Sequence, residues 1–309
     1  MRSKINRLKK NSRKKKRNSR IKKAGANAEK LSFKEATNLA HTFSMGALNE
    51  TSAGYNELGQ VQDVRKKIGN YVVADALIRT DDDIHQAVND WCDDHVAARR
   101  KYGHISQWDI SRVTNMSQLF MYKSIFNDDI SRWDVSSVTD MSEMFFHAGR
   151  FNQDISGWDV SGVTNMNAMF YNAFTFNQDI SGWNVYGVTD MSEMFYNANT
   201  FNQDLSGWNV SAVTNMSQMF RLALSFNQDL SGWDTSAVTN MRAMFNGAES
   251  FNQDISYWDV SRVTDMSFMF FAARSFNQDL SRWNISTVTN MNDMFLFADS
   301  LTNNPSWYT

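Results

Sequence analysis

Carboxylates that recur every 25 residues are the first side chains in this sequence that could do chemistry. They hold the fourth position of a phrase that reads FNQDISGWDV from Phe151 to Val160 and returns with few changes. This Asp ladder consists of Asp129, Asp154, Asp179, Asp204, Asp229, Asp254 and Asp279. An asparagine stands two residues before each of them, at Asn127, Asn152, Asn177, Asn202, Asn227, Asn252 and Asn277.

Two roles fit the Asp ladder and its asparagines. Rows of oxygen ligands could bind Ca²⁺. Asn and Asp side chains also accept hydrogen bonds from loop N–H groups two residues on, and a carboxylate bonded in this way tolerates stacked neighbours. We expect the second role, and therefore predict no metal and no cofactor.

A second acidic column contains Asp109, Asp134, Asp159, Asn184, Asn209, Asp234, Asp259 and Asn284. Paired carboxylates act as acid and base in glycosidases, but only where unlike environments separate their pKa values. Near-equivalent repeats do not supply such environments. We expect an exposed, weakly acidic face.

The single cysteine, Cys92, excludes an intramolecular disulfide and lies three residues before His95 on a predicted helix. A thiolate–imidazole pair is conceivable there, but zinc needs more ligands than five scattered histidines offer. We predict a buried Cys92 and a surface His95. The sequence also lacks HExxH, GxSxG and a phosphate-binding glycine loop, so we predict that the protein is not an enzyme.

The N-terminal residues form a strongly basic arm. Residues 1–23 contain 13 of the 31 Lys and Arg residues and no acid, which leaves 18 basic against 33 acidic residues, a balance of −15, in the rest. The arm's cations are Arg2, Lys4, Arg7, Lys9, Lys10, Arg13, Lys14, Lys15, Lys16, Arg17, Arg20, Lys22 and Lys23. We expect a free arm to be disordered, and to bind nucleic acid, direct nuclear import or thread into a neighbouring protein. A merely solubilising tail is the alternative.

The framework that must position these residues is an exact 25-residue repeat. Trp108, Trp133, Trp158, Trp183, Trp208, Trp233, Trp258 and Trp283 mark eight units from about 101 to 300. In the second unit, Trp133 and Val135 alternate with Asp134 as in a strand, and apolar residues spaced i, i+3, i+4, i+7 from Met141 indicate a short helix capped by Asp140. The sequence therefore predicts an α/β repeat solenoid of strand–turn–helix units with a parallel sheet.

Four segments follow from this pattern. They are the basic arm (1–30), a helical capping segment of three helices (31–100), the eight-unit solenoid (101–300) and a C-terminal tail (301–309). The first unit is atypical, since Lys123 replaces an Ala and His104 replaces a ladder Asp. No apolar run is long enough for a membrane span, and the basic N-terminus lacks the apolar stretch of a secretory signal.

The residue after the Phe of each predicted helix offers a candidate partner strip. This column reads Met121, Phe146, Tyr171, Tyr196, Arg221, Asn246, Phe271 and Leu296. Its aromatic members, Phe146, Tyr171, Tyr196 and Phe271, are either half-buried cover for the core or a strip that binds a partner.

The unit pattern I-x-x-W-D-V-S-x-V-T-N-M-x-x-M-F-x-x-A-x-x-F-N-Q-D resembles the repeats of the BspA-like leucine-rich-repeat family, first catalogued as a Mycoplasma protein of unknown function. The lead-in from Asp81 to Ser111 (DDDIHQAVNDWCDDHVAARRKYGHISQWDIS) is similar to the segment before these repeats in algal and large-DNA-virus members. The resemblance covers about 81 to 300 and implies a leucine-rich-repeat-type solenoid, with surface adhesion in bacterial members. This chain departs from the bacterial pattern in its basic arm and in lacking a secretion or lipoprotein signal.

We therefore predict a non-enzymatic scaffold in a larger assembly, with the solenoid docking proteins and the arm anchoring it. A virion or nucleoprotein particle is such an assembly. The prediction of a virion rests on the family resemblance alone. The alternative is a nucleic-acid-binding or nuclear protein that uses the arm, and a surface adhesin is a third, less supported role. The expected location is intracellular or in a virion, with the nucleus included.

Overall fold

The computed structural model describes residues 76–308. The basic arm and the first two predicted helices of the capping segment lie outside the described residues. Arg79–Thr309 form one compact unit. No helix among the described residues is both long and apolar enough to cross a membrane.

A short lead-in precedes the repeats. It contains β1 (Ile78–Thr80), α1 (Ile84–Asp93), α2 (His95–Tyr102), a 3₁₀ turn (Ile105–Gln107) and β2 (Asp109–Arg112), and β1 and β2 form a two-stranded sheet. The predicted third helix is confirmed as α1, whose buried face holds Ile84, Ala87, Val88 and Trp91. Helix α2 begins after Asp94, whose side chain accepts hydrogen bonds from the N–H groups of Val96 and Ala97.

The repeat units do not contain the predicted helix. From 113 to 308 the chain forms turns, and in the second unit the N–H of Phe146 donates to the carbonyl of Glu143 at 3.0 Å and that of Ala148 to Phe145 at 2.9 Å. Glu143 and His147 have φ values of 55° and 57°, in the left-handed region that an α-helix excludes. A chain of tight turns buries residues at i, i+3, i+4 and i+7 just as a helix does. The prediction of a helix was therefore wrong.

The predicted strand at Trp133–Val135 is also wrong. The N–H of Trp133 turns back to the carbonyl of Ile130, and that of Val138 to Val135. Parallel pairing between units is confined to isolated bridges at the Asn or Asp that follows each Val-Thr. Seven such bridges connect Asn115, Asp140, Asn165, Asp190, Asn215, Asn240, Asp265 and Asn290 in order.

Each unit hydrogen-bonds to the next through a turn ribbon, which comprises residues 115–122 in the first unit and their equivalents at 25-residue steps. Four N–H groups of the first ribbon, those of Met116, Gln118, Phe120 and Tyr122, donate to carbonyls of the second at 2.8–2.9 Å. The same four bonds recur at every step as far as the eighth unit. The carbonyl of Asp140 and the N–H of Met141 belong to one peptide group, so four columns of hydrogen-bonded peptides run through the units in one direction.

The core consists of aromatic side chains stacked in register, as the spacing predicts. The rings of Phe120 and Phe145 lie 5.4 Å apart at an interplanar angle of 2°. The indole Nε1 of Trp133 donates to the carbonyl of Ile105 at 3.0 Å, and each later Trp repeats this bond to the preceding unit. The eight repeat tryptophans are only 3–4% exposed.

The segment predicted as a C-terminal tail, described over residues 301–308, extends two columns of the repeat, those of the tryptophans and of the asparagines beside the Asp ladder. Trp307 stacks on Trp283 at 6.4 Å and 8°, and its Nε1 donates to the carbonyl of Leu280 at 3.0 Å. The N–H of Thr302 donates to Asn277 Oδ1 at 3.0 Å. Residues 301–308 therefore cover the tryptophan and asparagine columns of the eighth unit.

Candidate functional site

The Asp ladder makes the local hydrogen bonds that the sequence predicts. Each of its members accepts a bond from the N–H of the serine two residues on, and Asp154 Oδ1 also accepts from the Ser156 hydroxyl at 2.7 Å. The hydroxyl and N–H of Ser156 lower the pKa of Asp154. Among residues 76–308, no group of three or more His, Cys, Asp and Glu side chains is arranged to hold a metal ion.

The asparagines beside the ladder act between units, which corrects the expected bond two residues on. Asn127 Oδ1 accepts from the N–H of Asn152 at 2.8 Å, and Asn152 Oδ1 from that of Asn177 at 2.9 Å. The pattern continues to Asn277. Stacking places each amide oxygen beside the equivalent N–H of the next unit, so the asparagines link neighbouring units.

The second acidic column is exposed, as predicted. Asp109 begins strand β2, but the other seven members lie beside turns rather than on a sheet strand. Asp134 Oδ1 accepts from the N–H and the hydroxyl of Ser136 at 3.2 Å and 2.6 Å. Every member of the column accepts from the N–H two residues on. These side chains therefore stabilise local turns.

Three lead-in side chains complete the hydrogen bonds of the first unit. Asp81 Oδ1 accepts from the N–H of Thr114 at 2.8 Å, whereas the equivalent Thr139 donates to the carbonyl of Thr114. His85 Nε2 donates to the carbonyl of Ser117 at 2.9 Å, where later units receive an N–H from the unit before. His104 Nδ1 accepts from the N–H of Ser106 at 3.3 Å and so replaces the ladder aspartate. The sequence indicated His104 through its place in the repeat, but gave no signal for Asp81 or His85.

A cleft of about 510 Å³ lies between the lead-in and the first unit, lined by residues that include Trp91, Cys92, His95 and Lys123. Cys92 is half-buried rather than buried, and His95 is exposed as predicted. Burial raises the pKa of the Cys92 thiol to about 11. The thiol is therefore protonated at neutral pH, which argues against a thiolate–imidazole pair.

The predicted partner strip consists of two separate patches. In the first, the rings of Phe146 and Tyr171 stack at 4.5 Å, those of Tyr171 and Tyr196 at 4.2 Å, and the guanidinium of Arg221 lies 5.1 Å from the centre of the Tyr196 ring. The edge of Tyr122 meets Phe146 at 5.6 Å. We call this set the aromatic strip (Tyr122, Phe146, Tyr171, Tyr196 and Arg221). Burial, with a smaller effect of the neighbouring Tyr196, raises the pKa of Tyr171 to about 12, so Tyr171 is uncharged at neutral pH.

Phe271 does not belong to this strip, because Arg221 and Asn246 separate it from Tyr196. Its ring instead meets Phe268 at 6.0 Å and Phe297 at 5.3 Å, both edge-on. We call Phe268, Phe271, Leu296 and Phe297 the C-terminal apolar patch. The side chains of Leu296 and Phe297 are 44% and 59% exposed.

Polar side chains fix the end of the aromatic strip. Arg221 Nη1 donates to Gln218 Oε1 at 2.8 Å, and Gln218 Nε2 donates to Glu193 Oε1 at 3.0 Å. Burial raises the pKa of Glu193, although Arg221 opposes that shift. The strip therefore ends in a hydrogen-bonded group that holds the guanidinium in place.

Stacked 25-residue units with shared hydrogen-bond columns define a repeat protein. A family model described as Mycoplasma protein of unknown function, DUF285, matches residues 90–208 and 195–308. The two matches cover most of the chain, which therefore belongs to this family. No curated protein and no protein of solved structure matches the sequence significantly.

Proposed function

We propose that the protein is a non-enzymatic scaffold that docks other proteins within a larger assembly, with its units forming a solenoid. The observation that carries this proposal is the aromatic strip. Three half-buried stacked rings, the exposed ring of Tyr122 edge-on to Phe146, and an ordered arginine lie on successive units. Tyr and Arg are the residue types that dominate binding energy at protein interfaces.

The strip is also ordered before any partner arrives. Its rings pack against one another, and Arg221 is held by Gln218. A partner would therefore pay little conformational entropy for contacts along this surface. That property supports docking of a folded or extended protein over five neighbouring units.

A partner that crosses the strip can be detected by site-specific photo-crosslinking. A photoreactive phenylalanine analogue at position 171 is expected to give a discrete protein adduct in an extract of the source cells. The matched control places the analogue at Tyr257, which is 70% exposed and belongs to another column. Equal labelling from both positions, or adducts with nucleic acid alone, would contradict docking at the strip.

A nucleic-acid-binding or nuclear role is the second candidate, and the charge of the arm favours it. The described residues carry 27 acidic and 13 basic side chains, so they repel a polyanion, whereas residues 1–23 carry 13 cations. In both candidates the arm is the anchor, either to phosphates or to an acidic protein neighbour. A virion or nucleoprotein particle, as in the virus-type members that the lead-in resembles, would offer both phosphates and acidic protein surfaces to the arm. A role as a surface adhesin is the one that the basic arm supports least.

A further inference from the structure

The peptide columns of the turn ribbons end without acceptors at the eighth unit. In earlier units four N–H groups donate to the following ribbon, for example those of Met266 and Phe268 to the carbonyls of Asn290 and Asn292 at 2.9 Å. The equivalent groups of the last ribbon are the N–H groups of Met291, Asp293, Phe295 and Phe297. No acceptor for any of them is found between residues 76 and 308.

All four columns point the same way, so their peptide dipoles add as they do along a helix. The N–H groups face the C-terminal end, which makes this end the positive pole of 28 aligned hydrogen bonds at seven steps. Unpaired N–H groups stay stable only when water or another acceptor satisfies them. The last ribbon thus presents four aligned N–H groups that can donate hydrogen bonds to carbonyl oxygens.

Among the described residues, the chain covers only part of this end. Residues 301–308 extend the tryptophan and asparagine columns, and they contact the ribbon at Phe295, whose ring lies 5.0 Å from Tyr308 and 6.4 Å from Trp307. Met291 is half-exposed, whereas its equivalent Met266 is fully buried. The exposed Leu296 and Phe297 of the C-terminal apolar patch flank the same donors.

We propose that this C-terminal edge, formed by the four N–H groups of the last ribbon and the C-terminal apolar patch, docks a segment of a partner polypeptide as a ninth rung. The segment would supply carbonyls to the four donors and apolar side chains to the patch. The interface would continue one that the chain already forms seven times between its own units. It is a form of recognition in which main-chain bonds give affinity and side-chain pockets give specificity.

A second copy of this chain does not fit the edge. Two C-terminal edges would oppose donors to donors. At the N-terminal end, His85 already occupies the carbonyl of Ser117, and Asp81 binds the N–H of Thr114. The occupant that we propose is a segment of a different protein, with free carbonyls and apolar side chains. This inference rests on the proposed scaffold function and names one of its docking surfaces.

The test uses the full chain and a synthetic peptide with the sequence of residues 201–225, one complete unit that contains the acceptor carbonyls of a ribbon. We expect saturable 1:1 binding, and hydrogen exchange read by mass spectrometry that slows in fragments containing residues 291–297. A scrambled peptide of the same composition is the control. No binding, or protection that appears only along the aromatic strip, would overturn the proposal.

Variants of the C-terminal apolar patch test whether its side chains contribute to peptide binding. Phe297→Asn keeps a residue type that tolerates the φ of 62° at this position, and it should weaken peptide binding about tenfold, because one buried aromatic contact is lost. Leu296→Ser provides a second variant in case the first lowers stability, and Tyr257→Ser, in another column, should leave affinity unchanged. If peptide binding fails while position 171 still crosslinks a protein, the edge proposal is wrong and the scaffold proposal stands. If the peptide binds and position 171 gives no adduct, the edge stands and docking at the aromatic strip is wrong.

Discussion

The indole Nε1 of Trp208 donates a hydrogen bond to the carbonyl of Ile180, one unit earlier, at 3.1 Å. Trp108, which opens the same column, has a buried Nε1 with no acceptor among residues 76–308. Both rings are 3–4% exposed. The two residues therefore differ in a hydrogen bond and not in burial.

Replacing these two tryptophans by phenylalanine should separate the hydrogen bond from the packing. Both variants lose part of a buried ring, but only Trp208→Phe also loses a bond, so its free energy of unfolding should fall by about 1 kcal/mol more than that of Trp108→Phe. Chemical denaturation of both variants measures the difference. Equal losses would show that the indole bonds do not stabilise the stack.

Glycine substitutions should distinguish the turn ribbon from a helix. Gly247 has a φ of 68°, and a Cβ there would lie 2.6 Å from the Leu222 side chain, so Gly247→Ala should lower the free energy of unfolding by about 1–2 kcal/mol. In a helix the same change would raise it, since alanine is the better helix former.

Gly157 provides the matched control. It stands before Trp158, where other units carry Arg or Tyr, and a Cβ at this glycine would have no neighbour within 4 Å. Gly157→Ala should therefore be neutral or stabilise the fold slightly, because it restricts the unfolded chain. Thermal unfolding of both variants gives the comparison, and a stabilised Gly247→Ala variant would contradict the turn ribbon.

The aromatic register could be predicted from the sequence, but the backbone of the repeats could not. A constant spacing of 25 residues fixes which Trp and Phe side chains stack, whatever local structure joins them. The pattern from Met141 to Ala148 fits a helix and a ribbon of turns equally. The deciding left-handed positions carry residues such as Glu143 and Ala168, which give no signal of positive φ. Asn172, Asn197 and Gly247, which share one column, are of residue types that favour a positive φ.

The candidate sites also divide into residues that could be predicted from the sequence and residues that could not. Tyr171 and Tyr196 were identifiable because they share a column, and the break before Phe271 was visible in that column as Arg221 and Asn246. The roles of Asp81 and His85 were not, because they depend on how the lead-in meets the first unit. The donor edge at the eighth unit required the direction of the peptide columns, which no residue type encodes.

Alkylation of Cys92 should be slow at neutral pH. Burial raises the pKa of its thiol to about 11, and only the thiolate reacts rapidly, so the rate with iodoacetamide in the folded protein should rise through that pH rather than near the usual value of about 8.5. Mass spectrometry of the modified chain over a pH series measures the rate. The protein unfolded in urea is the control, and fast labelling of the folded chain at pH 7 would contradict a protonated thiol.

Thermal stability should not depend on calcium. The ladder carboxylates already accept bonds from backbone and serine groups, as Asp154 does from Ser156. A chelator should therefore leave the melting temperature unchanged, and added Ca²⁺ should not raise it. A rise of several degrees on adding Ca²⁺ would instead favour a metal role for the Asp ladder.

Electrostatic binding should reside in residues 1–23. Their 13 cations attract phosphates, whereas the described residues, with 27 acidic and 13 basic side chains, repel them. If about half of the cations met phosphates, log affinity would fall against log salt with a slope of about −5 to −6, at roughly −0.9 per contact. A salt titration of the full chain against mixed-sequence nucleic acid measures the slope, and deletion of residues 1–23 should abolish binding. Binding that survives the deletion would place the site in the repeats. No binding by either form at low salt would contradict the nucleic-acid role and favour an arm that threads into an acidic protein neighbour.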